Sequence, residues 1–556
     1  MSLFRVLGSL LLFLLALPLA APWLELAATP QGWLAWQEFG RIRSLAFNTL
    51  ILSLGTLSIV LPSGTLLGFL LFRTDLPGAR FYQLLAFVTL FVPLPLYTAA
   101  WQSAFGSDGL FFFDANTAWT PWVEGLSSAI GIHSLASLPW VILITGMGFL
   151  QVESELEEDA LTAAGMWRVF VSTTLLRARG LILAAALFVW LQTTEEISAA
   201  YFLGVRSFAE EVYYQFQASD QTGLVRSVAL SVPQVVLTFL ILVAVGYLLR
   251  GWDSPLMSGR LSLVFRLGRW RWPLSVTLGC FSLVLAGVPL LSLLRKAGSI
   301  GFPPVFSLAT ATDYLHESVI ANFGLILRSV LTALCTGVAT GTLALSLCWL
   351  SLHARWLRSM LALVIAMGLA LPAPILGFGL KSGIEWLIGI EEFLAHAAGI
   401  HPSGTLPLAR ILYFGPSFVP NCWAWAVRFF PYACLVCWPA VRKFPPELHD
   451  ICVLDDIRPG KEFVHLVWPA LTPFWLAASF LVFVLALSEI GASKLVATPG
   501  AYSYVQELFM RLHYGVTNES AALVLVLLAI VLLASGIAIG TAMIWRRRNP
   551  IGRLSQ

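Results

Sequence analysis

The sequence predicts an all-α, polytopic membrane protein of about twelve transmembrane helices, arranged as two parallel six-helix repeats. Three observations predict it. Of 556 residues, 58% are hydrophobic and only 11% are charged, against about 25% charged in a typical soluble domain. So few charges cannot cover a chain of this size in water. The apolar residues also gather into runs of roughly twenty, the length that crosses a hydrocarbon core as a helix. Finally, the pattern of runs and of the loops between them recurs in the second half.

The runs of the first half fall at 5–23, 48–72, 81–101, 134–151, 180–201 and 228–249. Those of the second half fall at 273–294, 324–349, 358–380, 418–440, 471–490 and 521–545. Arg5, the apolar stretch after it and Ala20-Ala21-Pro22 resemble a secretory signal, whose removal would leave eleven spans. Retention as a first helix makes the two halves match, and is the reading taken.

Orientation follows from the basic residues, which collect in loops on the cytoplasmic side. With the N-terminus inside, alternate loops hold Arg73, Arg80, Arg168, Arg177, Arg179, Arg355, Arg358, Arg442, Lys443, Arg458 and Lys461. The segment between the halves adds Arg250, Arg260, Arg266, Arg269 and Arg271, and the C-terminus adds Arg546, Arg547, Arg548 and Arg553. With Arg5 these are 21 of the 33 basic residues, which places both termini in the cytoplasm. The net charge of +3 is too small to suggest a nucleic-acid partner. The predicted organisation is a first six-span domain at 1–250, a basic linker at 251–272 that holds Gly251, Pro255, Gly259 and Gly268, and a second six-span domain at 273–556.

The repeat is visible in the residues. The loop Glu157-Glu158-Asp159-Ala160-Leu161-Thr162-Ala163-Ala164-Gly165 aligns with Leu448-His449-Asp450-Ile451-Cys452-Val453-Leu454-Asp455-Asp456 at a spacing of 291. Further on, Glu196-Ile197-Ser198-Ala199 aligns with Glu489-Ile490-Gly491-Ala492 at a spacing of 293. A two-residue deletion in the first copy reconciles the registers. Both loops are cytoplasmic in this orientation, acidic first and basic later. That order suits a short helix against the membrane face, with its acidic residues at the N-terminus.

These loops resemble the signature of permease subunits of bacterial ATP-binding-cassette (ABC) importers, E-A-A-x-x-x-G, nine residues, then I-x-L-P. The second copy reads Asp450-Ile451-Cys452-x-x-x-Asp456, nine residues, then Leu466-x-Trp468-Pro469. The first reads Asp159-Ala160-Leu161-x-x-x-Gly165 and reaches Leu175-Leu176 two positions early, without the proline. Asn48-Thr49-Leu50, Arg73-Thr74-Asp75-Leu76-Pro77-Gly78, Val92-Pro93-Leu94-Pro95, Leu371-Pro372-Ala373-Pro374 and Arg428-Phe429-Phe430-Pro431-Tyr432 extend the likeness to the fused double permeases of the ferric-iron and thiamine importer group.

The resemblance implies that Asp159 to Gly165 and Asp450 to Asp456 form short coupling helices docking on two copies of a separate ATPase subunit. It also implies a solute-binding protein outside, the lipid bilayer of the bacterial inner membrane as surroundings, and no cofactor bound by this chain. A small residue at the Gly165 position would permit a tight turn, which Asp456 adopts less easily.

No Walker A pattern, G-x-x-x-x-G-K-[ST], occurs; Gly460-Lys461 is followed by Glu462 and has no glycine five residues earlier. The chain is therefore read as a transport subunit and not an enzyme. The competing class is an ion-coupled secondary transporter, which needs intramembrane ionisable groups. Glu195, Glu196 and Glu489 near the outer ends of their spans, and Arg428 within its own, are the candidates. Glu196 and Glu489 are equivalent in the repeat, and an anionic pair there would suit a cation such as iron. Interfacial or paired structural roles explain the same residues.

No His/Asp/Glu cluster has metal spacing. Cys434-x-x-Cys437 stands among apolar residues, where cysteine acts as a small hydrophobe. His396 and His401 read as surface residues of a long outside segment, 381–417.

Overall fold

The computed structural model describes the chain except for residues 1, 91, 107–121, 218–220, 250–262, 302–304, 400–405, 456, 458, 514 and 549–556. The described residues are overwhelmingly helical. Among them, ten helices are long and apolar enough to cross a membrane, and the number rises to twelve when each of two bent helix pairs is taken as one span. The protein is an all-α, multi-pass membrane protein, as the sequence predicts.

The first repeat contains α1 (Ser2–Ala28), α2 (Phe39–Arg73), α3 (Ala79–Thr89), α4 (Leu94–Phe105), α5 (Gly125–Leu150), α6 (Ser154–Ala163) and α7 (Met166–Val169). It continues with α8 (Leu175–Arg177), α9 (Arg179–Glu195), α10 (Ser198–Phe202), α11 (Phe208–Gln217) and α12 (Gln221–Leu248). The second contains α13 (Arg271–Ala297), α14 (Leu308–Leu352), α15 (Arg355–Ala370), α16 (Ala373–Ala397), α17 (Pro407–Ala409), α18 (Val419–Arg442) and α19 (Pro446–Leu454). It ends with α20 (Pro459–Glu462), α21 (Trp468–Leu487), α22 (Ser493–Val496), α23 (Tyr504–Leu512) and α24 (Asn518–Arg548).

Small devices recur in both repeats. The third span of each breaks at a Leu/Val-Pro pair, where Pro93 (φ −63°, ψ 147°) and Pro372 (φ −57°, ψ 145°) precede a new helix. Phe208 N–H at the start of α11 donates to Thr49 Oγ1 at 3.0 Å, and Tyr504 N–H at the start of α23 donates to Ser329 Oγ at 2.9 Å. Each side chain satisfies one donor that a helix start leaves open. A single π-helical turn follows each loop helix, at Phe170–Thr174 and Phe463–Val467. Insertions of this kind concentrate at functional sites.

The segment expected as a long outside loop at 381–417 is largely helix. Pro372 interrupts the apolar run of 358–380: α15 ends at Ala370, and α16 starts at Ala373 and continues to Ala397. His396 lies exposed in its last turn, and His401 falls outside the described residues.

The chain forms two compact units that interleave along the sequence. One comprises Met1–Ile42, Glu211–Phe239 and Asn322–Glu507; the other comprises Arg43–Glu210, Leu240–Ala321 and Leu508–Gln556. Repeats and compact units thus divide the chain differently, because each repeat's first helix packs on helices of the other.

In the first unit α1 lies along α15 and α16. Pro18 has no N–H to return to the carbonyl of Leu14, and Trp423 Nε1 donates to that oxygen at 3.0 Å. Pro22 likewise frees the carbonyl of Pro18, which sits so close to α16 that a Cβ on Gly379 would lie 2.0 Å from it. In the second unit α13 packs on α4 and α24. There Ser103 Oγ and Ser292 Oγ share a hydrogen bond of 2.6 Å, and Tyr82 Oη donates to Ser275 O at 2.8 Å. Outward faces of these helices carry large apolar side chains such as Leu283 and Leu291, which a bilayer, unlike water, solvates.

Candidate functional site

The two repeated loops become helices, α6 and α19. Acidic residues occupy their first turns, Glu155 and Glu157 in α6 and Glu447 in α19, where they complement the helix dipole. In α6, Asp159 is exposed, while Ala160, Leu161 and Ala164 pack on a core of Phe69, Phe149, Val152, Val169, Phe170, Ala178 and Phe265. The helix is amphipathic, with its acidic face outward.

Glu157, two residues before the signature, is the residue the motif-based reading missed. It is fully buried and ion-paired with Arg73 at the end of α2, also fully buried. Thr174 Oγ1, in the π-helical turn, donates to its other oxygen at 2.7 Å. Arg73 Nε donates to Leu263 O at 3.0 Å and Arg73 Nη1 donates to Phe149 O. One guanidinium with five fixed donors thus ties together α2, the end of α5, α6 and the segment before α13. Burial pushes the Glu157 carboxyl above the usual carboxylate range, opposed by the Arg73 charge and the Thr174 hydroxyl. The sequence offers an acid two positions before a motif and a basic residue closing an earlier span, but nothing that joins the two.

Gly165 corrects an expectation. Its backbone is extended (φ −72°, ψ 159°), a conformation any residue adopts, and no atom lies within 4 Å of where a Cβ would stand. No tight turn requires glycine here, so the comparison with Asp456 loses its conformational basis. Asp456 itself falls outside the described residues.

In the second loop, α19 contains Asp450 and presents Leu448, Ile451 and Leu454 to the surroundings, Leu454 being 84% exposed. Pro469 is the second residue of α21, directly after the π-helical turn Phe463–Val467. The stretch Pro459–Leu487 runs as one span, whereas Met166–Arg177 and Arg179–Glu195 meet at a 72° bend at Ala178.

The paired carboxylates cap short helices. Glu196 Oε1 accepts from Ser198 N–H at 3.0 Å and Oε2 from Ala199 N–H at 2.9 Å, with the Ser198 hydroxyl as a further donor. Glu489 Oε1 accepts from Ala492 N–H at 2.6 Å, and Oε2 from Ser493 N–H at 3.1 Å and Trp425 Nε1 at 3.0 Å. Each glutamate thus satisfies the start of the helix that follows it, α10 or α22. They lie in different compact units. Arg428, buried in α18, donates to Leu371 O at 3.1 Å, a carbonyl at the proline break. Cys434 and Cys437 are buried in the same helix. Among the described residues no group of three or more His, Cys, Asp or Glu side chains is arranged to hold a metal ion.

No family model matches the chain. Over 198 residues, 35% of this chain and 75% of the relative, it is 27% identical to the molybdate/tungstate transport system permease protein WtpB of Thermococcus kodakarensis. This similarity and the membrane helices support an ABC importer permease, a class that generally works with ATPase and substrate-binding partners.

Proposed function

We propose that this chain is the fused transmembrane subunit of an ABC importer, coupled through α6 and α19 to two copies of a separate ATPase subunit and supplied by a solute-binding protein. On this reading both loops and both termini face the cytoplasm, and the membrane is a bacterial inner membrane. The carrying observation is the pair of loops, each a short helix followed by a π-helical turn, in a chain similar to an ABC permease. Asp159, Ala160 and Gly165, with Asp450, Asp456 and Pro469, belong to the two docking elements.

For the substrate, the ferric-iron reading relies on Glu196 and Glu489 as free anions, yet both carboxylates accept backbone N–H groups. The relative's name carries molybdate and tungstate. The first point removes the argument for a cation, and the second favours a small oxyanion. The ion-coupled alternative loses weight for a related reason: Glu489 and Arg428 have structural partners.

The test is purification from the native host. An ATPase subunit should accompany the permease, and deleting Ser154–Ala163 together with Pro446–Leu454 should abolish that association and ATP-dependent uptake. Uptake that survives both deletions and collapses with a protonophore would establish the secondary transporter instead. Parallel uptake of molybdate and of ferric ion decides the substrate class.

A further inference from the structure

We infer that residues 263–267, the described end of the inter-repeat linker, position the first coupling loop, so that covalent fusion of the repeats serves coupling as well as assembly. The inference rests on the coupling role proposed for α6. A linker that merely spans two domains would run over the surface without obligatory partners. These residues instead add to the end of α2 as a parallel bridge between Thr74 and Phe265.

Phe265 N–H donates to Arg73 O at 2.8 Å, Asp75 N–H donates to Phe265 O at 3.2 Å, and Leu267 N–H donates to Asp75 Oδ1 at 2.7 Å. The Phe265 side chain is buried, 5.2 Å from the ring of Phe69 and 5.8 Å from the Arg73 guanidinium carbon. Leu263 contributes the carbonyl that Arg73 Nε bonds. The linker therefore closes one side of the node in which Arg73 holds Glu157. Without it, the ion pair would open towards solvent and the aromatic floor beneath Ala160, Leu161 and Ala164 would lose a ring.

The second loop has a different set of residues at these places. Twenty-four residues after Ser329 comes His353, as Arg73 comes after Thr49. The His353 ring nitrogen Nδ1 lies 3.1 Å from Trp349 O, within its own helix region. Leu448 stands where Glu157 stands, and Val467 ends the π-helical turn where Thr174 does. Energetic coupling travels through packed, hydrogen-bonded elements with defined arrangements, and in the first loop one such element comes from the linker.

The full-length permease in lipid nanodiscs, with the ATPase subunit that co-purifies with it, tests the idea. In Phe265→Ser, amide exchange across Ser154–Arg177 should rise about tenfold or more, as expected when a local opening is eased, while Pro446–Val467 stays unchanged. The ATPase subunit should remain bound, yet substrate-stimulated hydrolysis should fall several-fold. Phe265→Leu should retain most of the stimulation.

A Thr74→Cys/Phe265→Cys pair, made with Cys280→Ser and Cys335→Ser, should be poorly coupled when reduced and recover on oxidation. Unchanged exchange in Phe265→Ser, equal change in both loops, or no recovery on cross-linking would overturn the inference. Should the wild-type chain bind no ATPase subunit, the coupling reading falls, while the exchange measurement still decides whether the linker holds α6.

Discussion

The two repeated-loop regions keep one order of elements by unlike means. In the first, α6 is fastened by Arg73, Glu157 and Thr174 over an aromatic floor, and it turns acidic residues outward. In the second, His353, Leu448 and Val467 occupy the corresponding places, and α19 turns Leu448, Ile451 and Leu454 outward. Helix, π-helical turn and following span nevertheless recur in the same order. The order of elements is thus kept between the repeats, while the bend after the loop and the means of fastening it differ. A polar lock gives one arrangement and is costly to disturb. An apolar surface tolerates change, and its exposure asks for a covering partner.

The largest expected effect lies in the lock. Arg73→Met or Glu157→Met alone should cost about 3–5 kcal/mol, because the remaining charge stays buried without its counterion. The double variant should recover most of this, since burial already works against both charged forms. Recovery should fall short by about 1 kcal/mol for each of the Leu263 and Phe149 carbonyls left without Arg73. Thermal unfolding in nanodiscs reads both. Leu448→Ala in the second repeat, at the place of Glu157, should change stability by less than about 1 kcal/mol because Leu448 is exposed; a large loss there would break the contrast.

The next effect distinguishes glycines. Gly379→Ala places a methyl against the Pro18 carbonyl and should cost about 1–3 kcal/mol through displacement of α1. Gly165→Ala should stay within about 0.5 kcal/mol, as no atom meets the new carbon. The capping carboxylates come third. Replacing a charged acceptor by a neutral one in Glu196→Gln and Glu489→Gln should cost about 1 kcal/mol each, somewhat more at Glu489 because Trp425 is also bonded to it. Uptake lost without this destabilisation would restore both residues to a substrate path.

The smallest change in stability is expected for Leu454→Ser, within about 0.5 kcal/mol, together with weaker binding of the ATPase subunit. Binding that is unaffected would remove α19 from the docking surface.

Much of this was legible in the chain. Twenty-residue apolar runs, paired prolines and duplicated loops state spans, breaks and repeat, because a bilayer forces the backbone into helices and leaves little freedom of architecture. The short helices that hold Asp159 and Asp450 were legible in the duplicated spacing. Glu157 was not, since nothing local marks which acid of Glu157-Glu158-Asp159 turns inward. That is decided by Arg73, which lies 84 residues away.

By itself, the sequence determined a multi-pass helical protein with two matching repeats and a short loop helix in each. Only the tertiary structure decided that the compact units interleave, that Glu196 and Glu489 cap helices, and that 263–267 belongs to the first loop. The physical reason is one of range. Span length and helix breaking are properties of neighbouring residues and a uniform solvent, whereas partners for a buried charge, a freed carbonyl or an aromatic ring come from distant parts of the chain.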